Sequence, residues 1–502
     1  MSDIIPNFTS SNIITWGNSQ ELHSNCSKII SQLNCIVNIV HTIDAFAALR
    51  SDGSVIVWGN PANGGTIPNG LNLKNIEILY SNNYAFAAID LDGNVFVWGD
   101  PNNGGLVPSE IQLQNIASIT TTLTAFAALD YDGYVYTWGD QISGGDSVIS
   151  SELSNIVTIY STQSAFAAVD SGGYVYTWGN SNNGGDSSAV SALLENGNIQ
   201  KIYSTYTAFT SIDSNGLVVS WGNQTNGGNS MDISGQLTNV VNIYTNGYAF
   251  AAINSNESTN QFGKSDVSGS VITWGNPLYG GSIVSPIDVS MNLNSVIKIF
   301  STPTAFAAIT ANKTVVTWGD PFNGGNSSNV QSQLYGITNI FSNQHAFAAI
   351  NLLANVIAWG DPTAGGDISA VGSQLTQIIS ISNTNRAFAA IRVDRNVVTW
   401  GDQLNGGNIN NLTCQLKNVN IIVGNPTVFA AAIPTFSTTL YFDPCIDKNN
   451  NLCYDSLNPF NNPNYDHKPL YYYNKYHHKK CVSVCVNSKQ YIYSNYNKKY
   501  NK

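Results

Sequence analysis

Residues 85–105 read AFAAIDLDGNVFVWGDPNNGG, and this stretch decides the fold. It holds a small-aromatic-small-small strand (Ala85, Phe86, Ala87, Ala88), a turn at Asp92-Gly93, a second strand ending in Trp98-Gly99, and the pair Gly104-Gly105. Successive side chains of a strand point to opposite faces, so Val95 and Val97 lie on one side and Phe96 and Trp98 on the other. Both sides are apolar, which predicts a sheet packed between two neighbours. The D-x-D-G segment predicts a tight hairpin in which Gly93 takes a positive φ.

Outward from this stretch the same features recur as Phe46/Trp58, Phe86/Trp98, Phe126/Trp138, Phe166/Trp178 and Phe209/Trp221, then Phe250/Trp274, Phe306/Trp318, Phe347/Trp359 and Phe388/Trp400. The usual period is about 40 residues, as in propeller blades and other repeat arrays. A third strand is predicted over 76–81 (IEILYS), with counterparts at 156–161 and 297–301. Between the glycine pair and that strand the sequence is polar and variable, and predicts no element. All ten tryptophans, the nine above and Trp16, stand in a Trp-Gly pair. Inter-sheet packing explains ten identical addresses, because large aromatic rings dominate core energetics. An exposed aromatic platform for sugars or bases is the alternative.

The two ends of the array are incomplete in complementary ways. Residues 12–17 (NIITWG) supply a Trp strand with no Phe strand before it, and residues 428–433 (VFAAAI) a Phe strand with no Trp strand after it. Joined, they make a tenth unit and leave no unpaired edges. The expectation is an all-β chain: a closed β-propeller of about ten repeats, its ring closed by pairing the N- and C-terminal strands, followed by an irregular C-terminal tail. A seven-bladed ring with extra repeats and an open superhelical stack also satisfy the spacing.

Residues 125–146, AFAALDYDGYVYTWGDQISGGD, carry a pattern that resembles the repeats of the regulator of chromosome condensation 1 superfamily. Within it the repeat is most similar to that of beta-lactamase-inhibitory protein II. The resemblance covers about residues 12–433 and implies a β-propeller. It also implies a general mode of action, the presentation of loops on one face to a protein partner. The exchange factors of the superfamily carry a G-Q-L-G type signature after the Trp-Gly strand. Here that place holds N-G-G (103–105) or S-G-G (143–145), and exchange activity is not carried over.

Apolar residues make up 43% of the chain and charged residues 10%, so there is ample core and a surface built mostly of neutral polar groups. The net charge is −11. Residues 466–502 hold eight lysines against Asp466, about +7, which leaves about −18 elsewhere. Three parts follow: a repeat domain over 1–433, an Asn/Asp/Pro-rich linker over 434–465, and a Tyr/Lys-rich tail over 466–502 expected to be disordered. The start, MSDIIPNFTSSNIITWG, lacks the basic and apolar runs of a secretory signal. No apolar stretch is long enough to span a membrane. A cytoplasmic or particle-associated location is the default expectation.

Candidate interaction residues lie where the repeat fails. The hairpin between Phe250 and Trp274 is enlarged over 254–269 (NSNESTNQFGKSDVSG) and offers Asn256, Phe262, Lys264 and Asp266. Loops are where a repeat scaffold grafts function, although a surface insertion is also tolerated at little thermodynamic cost. In the tail, Tyr472, Lys475, Lys479 and Lys480 could meet an acidic surface or nucleic acid.

Metal and catalytic readings are weaker than the structural ones. The residue after each Trp-Gly pair is Asp or Asn, and a side chain capping its own turn explains this better than a calcium ring. Asp447, Asn449 and Asn451 open like an EF-hand loop, but Leu452 and Asn458 stand where glycine and glutamate are required. His477, His478, Cys481 and Cys485 match no zinc spacing. Cys445 and Cys453 could close a small loop, and Cys35 and Cys414 flank the closing unit as a possible covalent lock. No nucleophile elbow, phosphate loop or triad pattern is present. The expected function is a non-enzymatic protein-binding scaffold with no cofactor and no metal. A guanine-nucleotide exchange factor and a carbohydrate-binding lectin are the alternatives.

Overall fold

A computed structural model describes residues 11–17, 32, 36–146, 153–195, 198–237, 239–255, 268–282, 293–409, 412–434, 445–446 and 452–453. The chain divides into two compact units, Met1–Pro434 and Thr435–Lys502. In the second unit, Cys445–Ile446 and Leu452–Cys453 form a short antiparallel ladder with Cys445 opposite Cys453. No helix among the described residues is long and apolar enough to cross a membrane.

The first unit is a succession of three-stranded antiparallel sheets, of which Ile76–Ser81, Ala85–Asp90 and Val95–Gly99 form the second. Ten such sheets are described, the sixth and seventh joined by the single pair Gly269↔Val296. Each hairpin is fixed locally. The Asp90 carboxylate accepts from the amides of Asp92 and Asn94 at 3.0 and 2.8 Å, and Gly93 turns the chain at φ +76°. The hairpin then reaches the next sheet, where the Ile116 amide donates to the Gly93 carbonyl at 3.0 Å.

Phe86 lies opposite Trp98 in register, and the two rings stack 5.2 Å apart. The ten equivalent stacks span 5.0–5.4 Å. The tryptophans are all buried: Trp16, Trp58, Trp98, Trp138 and Trp178, then Trp221, Trp274, Trp318, Trp359 and Trp400, none more than 4% exposed. Rings this deep cannot stack on a ligand from solvent, which removes the alternative of an exposed tryptophan platform.

Most of these rings also reach the preceding sheet through a hydrogen bond to a glycine carbonyl. Trp98 donates to Gly64, Trp138 to Gly104, Trp178 to Gly144 and Trp221 to Gly184. Further along, Trp318 donates to Gly280, Trp359 to Gly324, Trp400 to Gly365 and, at the tenth sheet, Trp16 to Gly406. Trp274 instead donates to the Ser220 hydroxyl. Trp58 has no partner among the described residues. The reason is in the sequence: the unit before it follows Trp16-Gly17 with no glycine pair.

The first and last strands of this unit meet. Ser11–Gly17 pairs antiparallel with Val428–Pro434, with Trp16 opposite Phe429, and Ile421–Gly424 completes the tenth sheet. Val428 and Ala430 of that sheet pack with Phe46, Ala48 and Trp58 of the first. A chain of backbone hydrogen bonds also links the turns between first and second strands. It runs from the Ile43 amide to the Asn83 carbonyl, then by way of Leu123, Gln163, Tyr206 and Gly247 to Pro303, and again from Gln344 to Asn385 to Pro426. The chain stops at Pro303 and Pro426, which have no N–H to donate.

Several expectations need correction. The strands of the enlarged hairpin extend further than the sequence suggests, over Ala249–Ser255 and Gly269–Gly275, so Asn254, Ser255 and Gly269 belong to the ladder. Cross-strand pairing satisfies their backbone groups, as it does for the residues before them. The variable segment after the glycine pair holds short 3-10 turns in several units, among them Met231–Ile233 and Gln331–Gln333. Cys414 is an exposed free thiol, so the proposed lock to Cys35, which lies outside the described residues, is not formed.

Candidate functional site

Each first strand ends and each third strand ends on the same side of the repeat unit. That side, here the loop face, therefore collects two series of loops. The inner series is the turn before each Ala-Phe strand. In the second sheet the Asn82 side chain accepts from the amides of Tyr84 and Ala85, both at 2.8 Å, and donates to the Asn103 carbonyl at 2.7 Å. The turn is thus tied to the outer loop. That outer loop is a 3-10 turn, Pro101–Asn103, capped by the Asp100 carboxylate on the Asn102 amide at 2.9 Å. The described Asx residues after Trp-Gly are caps of this kind, Asn18 lying outside the described residues, and no group of three metal-ligating side chains occurs among the described residues.

Rigid loops carry variable tips. The third residue after each Trp-Gly is Gln20, which lies outside the described residues, Ala62, Asn102, Ile142, Asn182, Thr225, Leu278, Phe322, Thr363 or Leu404. Ile142, Leu278, Phe322 and Leu404 stand out in water, 65–82% exposed. The opposite, hairpin side also exposes Leu91, Tyr131, Leu353 and Val393. The loop face also carries a cavity of about 660 Å³, walled by the inner turns of the first eight sheets.

The cavity wall is neutral. It is built of Ser81, Thr121, Ser161, Thr245 and their equivalents, with Asn83 and Gln163. His41 is its one titratable imidazole, and burial holds it below the ordinary value, so the ring is uncharged at neutral pH. Tyr206 lies at the edge, in edge contact with Tyr248 at 5.4 Å, and Tyr248 meets Tyr279 at 4.7 Å. Burial pushes the Tyr206 hydroxyl above the usual phenol value. Two sheets away, Arg386 pairs with Asp361 at 3.0 Å; both are partly exposed, and such pairs add little stability.

The sequence-derived candidates fall elsewhere. Asn256, Phe262, Lys264 and Asp266, and in the tail Tyr472, Lys475, Lys479 and Lys480, lie outside the described residues. So do Asp447, Asn449, Asn451, His477, His478, Cys481 and Cys485. The tryptophans contribute nothing to the loop face: Trp178, Trp221, Trp318, Trp359 and Trp400, like the rest, face the packing between sheets. The loop-face tyrosines interrupt no repeat and so carry no break that would single them out. A usable signal exists all the same. The two residues before each Ala-Phe strand change from unit to unit, as in Asn83-Tyr84, Tyr206-Thr207 and Gly247-Tyr248, while their flanks stay constant.

Among known proteins, no family model and no curated protein matches this chain. Solved structures do resemble it. Prp20p from Saccharomyces cerevisiae is 13% identical, with 86% of this chain and 94% of that one covered and a TM-score of 0.37. Human WBSCR16 is 10% identical over 85% of this chain and all of the other, with a TM-score of 0.35. The computationally designed Ika8 protein is 12% identical over 68% and 96%, with a TM-score of 0.30.

Proposed function

We propose that the ten sheets close into a ten-bladed propeller of the regulator of chromosome condensation 1 type, and that this ring is a non-enzymatic scaffold binding a protein partner through its loop face. The observation that supports binding is the set of apolar tips Ile142, Leu278, Phe322 and Leu404, held out on capped loops. Scattered surface apolar residues are ordinary. Four at one structurally equivalent position, around a common cavity, make a surface on which a partner can bury aromatic and aliphatic anchors. The loops are already ordered by their caps, so little conformational entropy remains to be lost on binding.

The test is affinity capture with the full chain, followed by binding titration of the captured protein. The double variant Phe322→Asp, Leu404→Asp is expected to weaken that binding by at least about a hundredfold, since burying each large apolar side chain is worth roughly 1.5–3 kcal/mol. Its melting temperature should stay at the wild-type value. Equal loss on the hairpin side, with Leu353→Asp and Val393→Asp, and none from the loop-face variant would contradict the proposal.

A further inference from the structure

The loop face is not uniform in charge. Among the described residues the Asx caps are acids in the second, third, seventh, eighth and ninth sheets (Asp100, Asp140, Asp320, Asp361, Asp402) and amides in the first, fourth, fifth and sixth (Asn60, Asn180, Asn223, Asn276). The tyrosine cluster stands where three neighbouring caps, of the fourth to sixth sheets, are amides. Its parts are fixed by neutral hydrogen bonds. The Asn246 side chain accepts from the Tyr248 amide at 2.8 Å and donates to the Tyr279 carbonyl at 2.7 Å. The Asn226 amide group donates to the Thr207 hydroxyl at 3.0 Å. Tyr206 lies against the backbone of Gly247, where an added Cβ would sit 2.5 Å from the ring. Tyr206 therefore lines a cavity whose wall offers hydroxyls and amides and no full charge, and the half-buried rings of Tyr248 and Tyr279 extend the aromatic cluster away from it.

From this juxtaposition we infer that the cluster of Tyr206, Tyr248 and Tyr279, beside the cavity that Tyr206 lines, binds a neutral saccharide. A sugar ring presents C–H groups on its faces, suited to tyrosine, and hydroxyls at its edge, suited to side chains that both donate and accept. An ionic ligand would lose its hydration without a counter-charge. A nucleic acid would in addition meet the flanking acids, against the electrostatics that drive such binding. The inference is independent of the protein-binding proposal, which rests on the loop tips.

The test is calorimetric and NMR titration of the full chain with maltohexaose, cellohexaose and chitohexaose, and with sialyllactose as a charged probe. At least one neutral hexasaccharide is expected to bind. Tyr248→Ala should weaken it about tenfold or more, Tyr248→Phe should keep it, and Val393→Asp on the hairpin side should leave it unchanged. Should Tyr248→Ala lower the melting temperature, Tyr206→Ala provides the same comparison. Absence of binding by every neutral hexasaccharide at about 10 mM, where even a millimolar site is mostly filled, overturns the inference. Binding that survives both alanine variants, or that is confined to sialyllactose, also overturns it.

Discussion

Replacing Trp138 with alanine is expected to destabilise the protein by about 3–5 kcal/mol, the cost of removing a fully buried large aromatic ring. Trp138 is 0% exposed, stacks on Phe126 at 5.1 Å and packs against Ala85, Ala87 and Ile89 of the preceding sheet. Its removal also leaves the Gly104 carbonyl without the indole donor that meets it at 3.1 Å. Trp58 is the internal comparison. It is as deeply buried and stacks on Phe46 at 5.0 Å, but its ring N–H has no partner among the described residues. Trp58→Ala removes a donor that is unmet among the described residues, so it should cost less than Trp138→Ala by about 1 kcal/mol. Urea denaturation of the two variants reads the difference directly. An unchanged midpoint for Trp138→Ala would contradict the core assignment.

Gly104→Ala is expected to be nearly as damaging, although it adds one methyl group to a surface-side loop. Gly104 has φ +97°, where an L side chain is strained by about 1–3 kcal/mol. Its Cβ would lie 2.4 Å from Phe126 Cδ2, and that ring is itself held in the stack with Trp138. Overpacking a filled core costs about 1–3 kcal/mol more. The sum, about 2–6 kcal/mol, should appear in denaturation midpoints. Gly70→Ala is the control, because Gly70 also has a positive φ but meets nothing within 4 Å, so it bears only the backbone part. Equal effects at the two sites would show that close packing against the Phe ring is not what the glycine serves.

Much of this was readable from residues alone, for a physical reason. A Phe-Trp cross-strand pair, an Asx-capped turn and a glycine that must pass over an aromatic ring are local requirements, and local requirements leave local patterns. Even the meeting of residues 12–17 with 428–433 was legible, since each lacks the strand the other supplies. The loop face was not. Tyr206 comes from the fifth unit and Tyr248 and Tyr279 from two different loops of the sixth, and their convergence depends on how neighbouring sheets place their turns. Pro303 and Pro426 were equally silent. Each looks like an ordinary loop proline until the chain of turn-to-turn hydrogen bonds shows a donor missing there.

The junction of the tenth and first sheets combines several such departures. Pro426 interrupts the hydrogen-bond chain, and among the described residues Trp58 lacks an acceptor and the Asn425 side-chain amide has no counterpart of the loop carbonyl that Asn82 finds at Asn103. What joins the two sheets is the packing of Val428 and Ala430 on Phe46, Ala48 and Trp58, while the tenth sheet is itself held by the antiparallel ladder of Ser11–Gly17 on Val428–Pro434 and the Trp16–Phe429 stack at 5.1 Å.

The central claim, a ring closed through that ladder, is tested most directly by hydrogen exchange of the backbone amides in residues 12–17. A closed ring predicts protection comparable to that of the internal strand Val135–Gly139, released only on global unfolding. Exchange of residues 12–17 at the rate of an open chain, while residues 135–139 stay protected, would contradict closure and leave an open stack of sheets.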